Sequence, residues 1–169
     1  GNRSHDGRHF IYIKINLYIY ITMAVYDTFS FYNEFDVLRK RLAYLKSHVD
    51  KFVLVESTVT HSNKPKELFY ENKKAEFAEF ADKIIHIVVD DNPSGDDPWC
   101  RENHQRNCIM RGLTDAQDDD IVMISDVDEI PDVKVIDYHI KNKVNTAAAH
   151  MIAFQYSFKY YQNHEPWFG

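Results

Sequence analysis

Glycine is scarce in this chain, with five in 169 residues, and neither GxGxxG nor GxxxxGK[ST] occurs. Both motifs let backbone N–H groups close on phosphate oxygens at a helix N-terminus, so their absence excludes a Rossmann dinucleotide site and a P-loop. Any phosphate bound here needs a cation for much of its charge neutralisation. Cysteine is sparser still. Cys100 and Cys108 lie in one predicted helix, and a rise of about 1.5 Å per residue sets them about 12 Å apart, too far for a disulfide. No CxxC pair and no Cys/His zinc spacing occurs, so the thiols read as unpaired and leave the compartment open. An excess of positive charge is also missing. The net charge of -6 argues against nucleic acid as a partner, which needs a basic face.

Long apolar runs are lacking too. The strongest one, residues 10–21, is β-branched and aromatic but interrupted by Lys14 and Asn16. It falls short of the roughly 20 apolar residues of a membrane helix and has no small-residue signal cleavage site, so it is no clear membrane anchor. Met23 follows shortly after. Residues 1–22 are therefore expected to be an N-terminal extension outside a core of residues 23–169, with Met23 as the natural start; the alternatives are a truncated anchor or an extra edge strand. The run Ser4-His5-Asp6 is not a catalytic triad, whose members meet from separated elements.

What the chain does contain is 44% hydrophobic and 14% aromatic residues, enough for a packed core of one domain. Its apolar runs alternate with helical spacing. A short strand is expected near Val25, then a loop with Asn33 and Glu34, then a helix over 35–48 with Leu38, Leu42 and Leu45 on one face and Arg39, Lys40, Arg41 and Lys46 on its solvated face. A strand over 51–57 ends in Glu56. A helix over 71–83 carries Phe77 and Phe80 on one face, and a strand over 84–90, with His86 partly buried, ends in Asp90 and Asp91. A helix over 99–113 shows the stripe Trp99, Asn103, Arg106, Met110 and Leu113. Residues 121–124 read as a buried strand, 132–143 as a helix and 147–161 as strand-rich. Strands alternating with helices predict an α/β fold: a doubly wound, mostly parallel sheet flanked by helices, with several acids delivered to one edge.

The acids cluster most densely at Ser125-Asp126-Val127-Asp128-Glu129-Ile130-Pro131. Two aspartates one residue apart at the carboxyl end of a strand can hold one divalent cation, and Mg²⁺ and Mn²⁺ favour carboxylate and phosphate oxygens. Asp126 and Asp128 are the expected metal ligands. Glu129 is either a third ligand or a supporting group, or an acid at the start of the next helix. Arg101 and Arg106 are either diphosphate clamps or surface charge. Trp99 either stacks on a base or sugar or belongs to the core. A Mg²⁺-dependent phosphatase or nucleotidyltransferase uses similar acids. The haloacid-dehalogenase pattern DxDx[TV] fits badly, because Glu129 and Ile130 follow Asp128.

Several stretches in combination carry a resemblance: Tyr26-Asp-Thr-Phe-Ser-Phe-Tyr-Asn-Glu-Phe-Asp36, Phe52-Val-Leu-Val-Glu-Ser57, Lys64-Pro65, Lys83-Ile-Ile-His-Ile-Val-Val-Asp90, Asp97-Pro-Trp-Cys-Arg-Glu-Asn-His-Gln-Arg-Asn107 and Ile124-Ser-Asp-Val-Asp-Glu-Ile-Pro131. From about Met23 onward the chain resembles glycosyltransferase family 17, the β-1,4-mannosyl-glycoprotein β-1,4-N-acetylglucosaminyltransferase family. The resemblance implies a GT-A-like fold and inverting transfer of N-acetylglucosamine from a UDP-GlcNAc donor to a glycan or glycoprotein acceptor of the N-glycan type. It implies Asp126 and Asp128 as the DxD pair holding Mn²⁺ or Mg²⁺, and Asp27, Asn33, Glu34, Glu56, Arg101, Gln105 and Arg106 around the donor. The catalytic base is not assigned; Glu129 is the candidate at hand, on the metal side. Eukaryotic members are anchored in the Golgi membrane, whereas an unanchored chain would be cytoplasmic. Family members continue past residue 169, so a C-terminally truncated member with an incomplete acceptor side is expected, either active or retaining only nucleotide-sugar binding.

Overall fold

The computed structural model describes residues 23–95 and 97–142, together with the backbone of His150–Met151 and Trp167–Phe168. The expected extension, residues 1–22, and the aromatic cluster at 154–161 lie outside the described residues. Four strands form one parallel sheet: β1 (Val25–Ser30), β2 (Lys51–Ser57), β3 (Ile84–Val89) and β4 (Ile121–Asp126), in the order β3-β2-β1-β4. The helices are α1 (Phe35–Leu45), α2 (Phe69–Lys73), α3 (Pro98–Asn107) and α4 (Val133–Asn142). This is the expected helix-flanked α/β sheet, and its parallel strands put all four carboxyl ends on one edge.

Period-two alternation splits the core between the two faces of the sheet. Val25 and Phe29 of β1 and Phe52 and Leu54 of β2 pack with Leu38, Leu42 and Leu45 of α1, Phe77 and Phe80, and Ile136 of α4. Tyr26, Val53, Val55 and Val89 face the other way, onto Cys108 and Ile109. Strand order reverses beside β1: β2 and β3 are added on one flank and β4 on the other. Such a switch point places a crevice at the carboxyl ends of the two strands beside it.

Several expectations change in the structure. The strand at 121–126 is not buried. It is the edge of the described sheet, with Val122 and Ile124 exposed, because α3 and the turn after it cover β2 and β3 rather than β4. The helix expected over 71–83 is the short α2 followed by a 3-10 segment, Lys74–Phe80. The backbone kinks at Phe77 (φ -112°, ψ 22°), and Phe77 and Phe80 both reach the core. The helix expected over 99–113 also tightens into 3-10 geometry at Cys108–Gly112. Its inner face is Arg101, Gln105, Cys108, Ile109 and Gly112 rather than the expected stripe, whose Trp99 and Met110 are each 68% exposed. Among the described residues, β5 (His150–Met151) and β6 (Trp167–Phe168) form a separate antiparallel pair. Among the described residues, no helix is long and apolar enough to cross a membrane.

Candidate active site at the carboxyl edge of the sheet

The crevice at the β1/β4 switch point is a cleft of about 690 Å³. Ser30, Phe31 and Tyr32 lead into it from β1, and Asp126, Val127 and Asp128 from β4; the register sets Ser30 directly opposite Asp126. Glu102, Gln105 and Arg106 of α3, with Pro98, form another wall, and Val59, Thr60, His61, Ser62 and Lys66 of the loop after β2 complete it.

The acidic turn is built by local bonds. The backbone N–H of Glu129 donates to the Asp126 carbonyl at 3.0 Å, and the Asp126 N–H donates to Glu129 Oε2 at 2.9 Å. Asp126 Oδ1 accepts from Arg106 Nη2 at 3.2 Å. Burial raises the Asp126 pKa above the ordinary aspartate value; the carboxylates of Glu129, Asp128 and Glu102 push the same way, against Arg106. Carboxylates clustered at one turn can share a divalent cation.

Beneath this turn lies a group placed differently from its sequence reading. Arg41, expected on the solvated face of α1, is 0% exposed. Its Nε and Nη2 bond both oxygens of Asp27 at 2.8 and 2.6 Å. Nη2 also reaches Ser125 Oγ at 2.7 Å, and Nη1 donates to the carbonyls of Asp126, Val127 and Glu129 at 2.7 to 3.1 Å. The guanidinium thus uses a bidentate carboxylate on one side and the acidic turn on the other. Asp27, expected at the donor, is also 0% exposed and has both oxygens committed to Arg41; it anchors the brace instead of lining the cleft.

Two other expected donor residues are structural anchors. Glu56 is fully buried, accepts the Tyr70 N–H at 3.1 Å, and lies 3.2 Å from His86 Nε2. It therefore docks the start of α2, and His86 bridges it to Glu71, 3.3 Å from Nδ1. Arg101 is buried and donates through Nε to the His61 carbonyl at 2.6 Å and through Nη1 to the Gly95 carbonyl, tying two loops together. Asn33 borders a separate, smaller depression with Phe35 and Lys73. Gln105 lines the cleft but points its amide at the Val55 carbonyl, 3.4 Å away. Glu34 lines it and caps the turn, accepting the N–H groups of Tyr32 and Asn33 at 3.1 and 3.0 Å.

The structure therefore brings Glu34, Gln105, Arg106, Asp126 and Asp128 together in the cleft, with Glu129 behind the acidic turn, and sets Asp27, Asn33, Glu56 and Arg101 apart. Lys66 and Tyr32 are cleft residues that the sequence reading passed over. Lys66 Nζ stands 5.2 Å from the Tyr32 ring centre and 4.0 Å from Glu56 Oε1. A lysine in a polar loop beside Pro65 carries no periodic signal, so only the Lys64-Pro65 block pointed near it.

A family model for glycosyltransferase family 17 matches residues 18–169, beginning five residues before Met23. The curated β-1,4-mannosyl-glycoprotein 4-β-N-acetylglucosaminyltransferases of Homo sapiens and Rattus norvegicus are each 30% identical to this chain over 106 residues, and that of Mus musculus is 29% identical. Each match covers 58% of this chain and 20% of the relative, so the chain spans about one fifth of their length. No solved structure matches the chain.

Proposed function

The chain belongs to glycosyltransferase family 17, and on that premise we propose that residues 23–169 form a GT-A-like donor-binding domain of an enzyme transferring N-acetylglucosamine from UDP-GlcNAc to a β-linked mannose, or a similar sugar, of an N-glycan, with inversion and with Mn²⁺ or Mg²⁺. The observation that carries this reading is the cleft at the β1/β4 switch point, where Asp126 and Asp128 meet Arg106.

The donor set fits a hard divalent cation. Asp126 and Asp128 both line the cleft, and carboxylates one residue apart suit Mg²⁺ or Mn²⁺. When bound, the cation supplies neutralisation of charge on the diphosphate leaving group. Arg106 and Lys66 are the protein cations available to the phosphates, and the Tyr32 ring, 44% exposed, is the flat surface available to the uracil or the sugar. In the transfer, the acceptor hydroxyl oxygen bonds to the anomeric carbon while the bond from that carbon to UDP breaks, and the hydroxyl proton passes to a carboxylate base. Glu129 is a poor base, since its Oε2 holds the Asp126 N–H on the cation side of the turn.

Asp126→Ala and Asp128→Ala should each abolish Mn²⁺-dependent UDP binding in calorimetry while the circular dichroism spectrum stays native. Unchanged UDP affinity in both variants would remove the site. With UDP-GlcNAc, Mn²⁺ and a mannose-terminated acceptor, transfer supports the whole reading. Binding without turnover reduces it to nucleotide-sugar binding, and release from a generic phosphomonoester replaces it with hydrolysis.

A further inference from the structure

We propose that Asp91, His104 and Cys108 form a zinc site that clips α3 to the end of β3, separate from the acidic cleft at Asp126 and Asp128. His104 and Cys108 stand four apart where α3 passes into the 3-10 segment, so they share one helical face. Asp91 follows two residues after Val89, the last residue of β3. The three side chains bring one ligand atom each within 4.8 Å of one another.

Two of the spacings come close to those of a shared tetrahedral centre. Two bonds of about 2.0 Å at the tetrahedral angle set their ligand atoms about 3.3 Å apart, and a 2.0 Å bond beside a 2.3 Å zinc–sulfur bond sets them about 3.5 Å apart. His104 Nε2 lies 3.3 Å from Asp91 Oδ1 and 3.7 Å from Cys108 Sγ. One ring nitrogen thus faces both an oxygen and a sulfur, and that oxygen and sulfur lie within 4.8 Å of each other.

Chemistry selects the metal. A thiolate, an imidazole and a carboxylate suit zinc, whereas the all-carboxylate pair at 126 and 128 suits Mg²⁺ or Mn²⁺. Arg111 engages the other oxygen of Asp91, with Nη2 2.6 Å from Oδ2, and turns Oδ1 toward His104 as an outer partner orients a metal-bound carboxylate. Cys108 is buried while Asp91 is exposed, so the fourth position opens to water or to a further ligand. The sequence held no Cys/His zinc spacing because the third ligand comes from the loop that follows β3. The clip would fix the helix whose Gln105 and Arg106 line the cleft.

The test uses the whole chain. Purified in Zn²⁺ and dialysed against metal-free buffer, it should keep one zinc per chain by elemental analysis. Substituted with Co²⁺, it should show the thiolate-to-cobalt charge-transfer band. His104→Ala and Cys108→Ser should lose both signals, and Arg111→Met should weaken Zn²⁺ affinity by about 10–100-fold. Asp128→Ala should keep them, which separates this site from the donor reading. No retained zinc, or equal retention in His104→Ala and Cys108→Ser, would overturn the proposal.

Discussion

Arg41 holds its charge at zero exposure, and each of its three nitrogens donates to oxygen. Breaking a buried ion pair from one side costs about 3–5 kcal/mol, chiefly because the partner charge is left uncompensated. Arg41→Met should lower the unfolding free energy by about that amount in urea denaturation. Arg41→Met with Asp27→Leu removes both charges and should regain most of the stability. Mn²⁺-dependent UDP binding should stay weak in the double variant, because the carbonyls of Asp126, Val127 and Glu129 have lost their donor. Native UDP affinity there would show that the turn holds itself. Lys66 supplies the pH dependence. Burial lowers its pKa below the ordinary lysine value, against the opposite pull of Glu56, Glu34 and Glu67. Its cation is lost as pH rises through that lowered value, earlier than for an ordinary lysine. UDP affinity should therefore decline at moderately alkaline pH, and Lys66→Arg should flatten the decline. An identical profile in the variant would exclude Lys66 from the phosphate contact.

At the scale of elements, helix and strand positions follow periodicity, but their ends follow docking. Leu38, Leu42 and Leu45 predicted α1 correctly because their spacing matches the face that packs on the sheet. Arg41 lies on that same face, and its residue type alone pointed to solvent. The segment Cys108–Gly112 shows the contest most directly. A Cβ built on Gly112 would come 2.5 Å from Val53 Cγ1, on a β-branched core side chain of β2. Helix propensity alone predicts that Gly112→Ala stabilises by up to about 1 kcal/mol. Overpacking predicts a loss of about 1–3 kcal/mol, because Val53 is fully buried and the 3-10 segment must lift off β2. We expect the loss. Thermal denaturation decides it: a raised melting temperature would mean that Val53 yields without cost.

For the whole molecule, the parallel sheet concentrates acids at one edge of a chain already at net charge -6. A ligand bringing a divalent cation there should stabilise the fold. At a free ligand concentration of 100 times Kd, binding adds about 2.7 kcal/mol, which is a rise in melting temperature of about 5–10 °C for a domain of this size. UDP with Mn²⁺ should produce that shift in a thermal scan, and uridine with Mn²⁺ should produce little of it, because uridine lacks the phosphates. Equal shifts would place the affinity in the base rather than in the metal and Arg106.

The residues by themselves determined the alternation of strand and helix, the absence of a glycine phosphate loop and the acid pair after β4, because these are local patterns in composition and spacing. The motif blocks carried the family. Tertiary structure decided which acids are available. Asp27 and Glu56 follow the same apolar-strand logic as Asp126, yet the first meets Arg41 from α1 and the second meets His86 and the start of α2. Only the strand order shows that the reversal falls between β1 and β4, where Asp126 and Asp128 line a cleft. A buried carboxylate and an open one differ in their neighbours from distant elements, and no spacing along the chain records those neighbours.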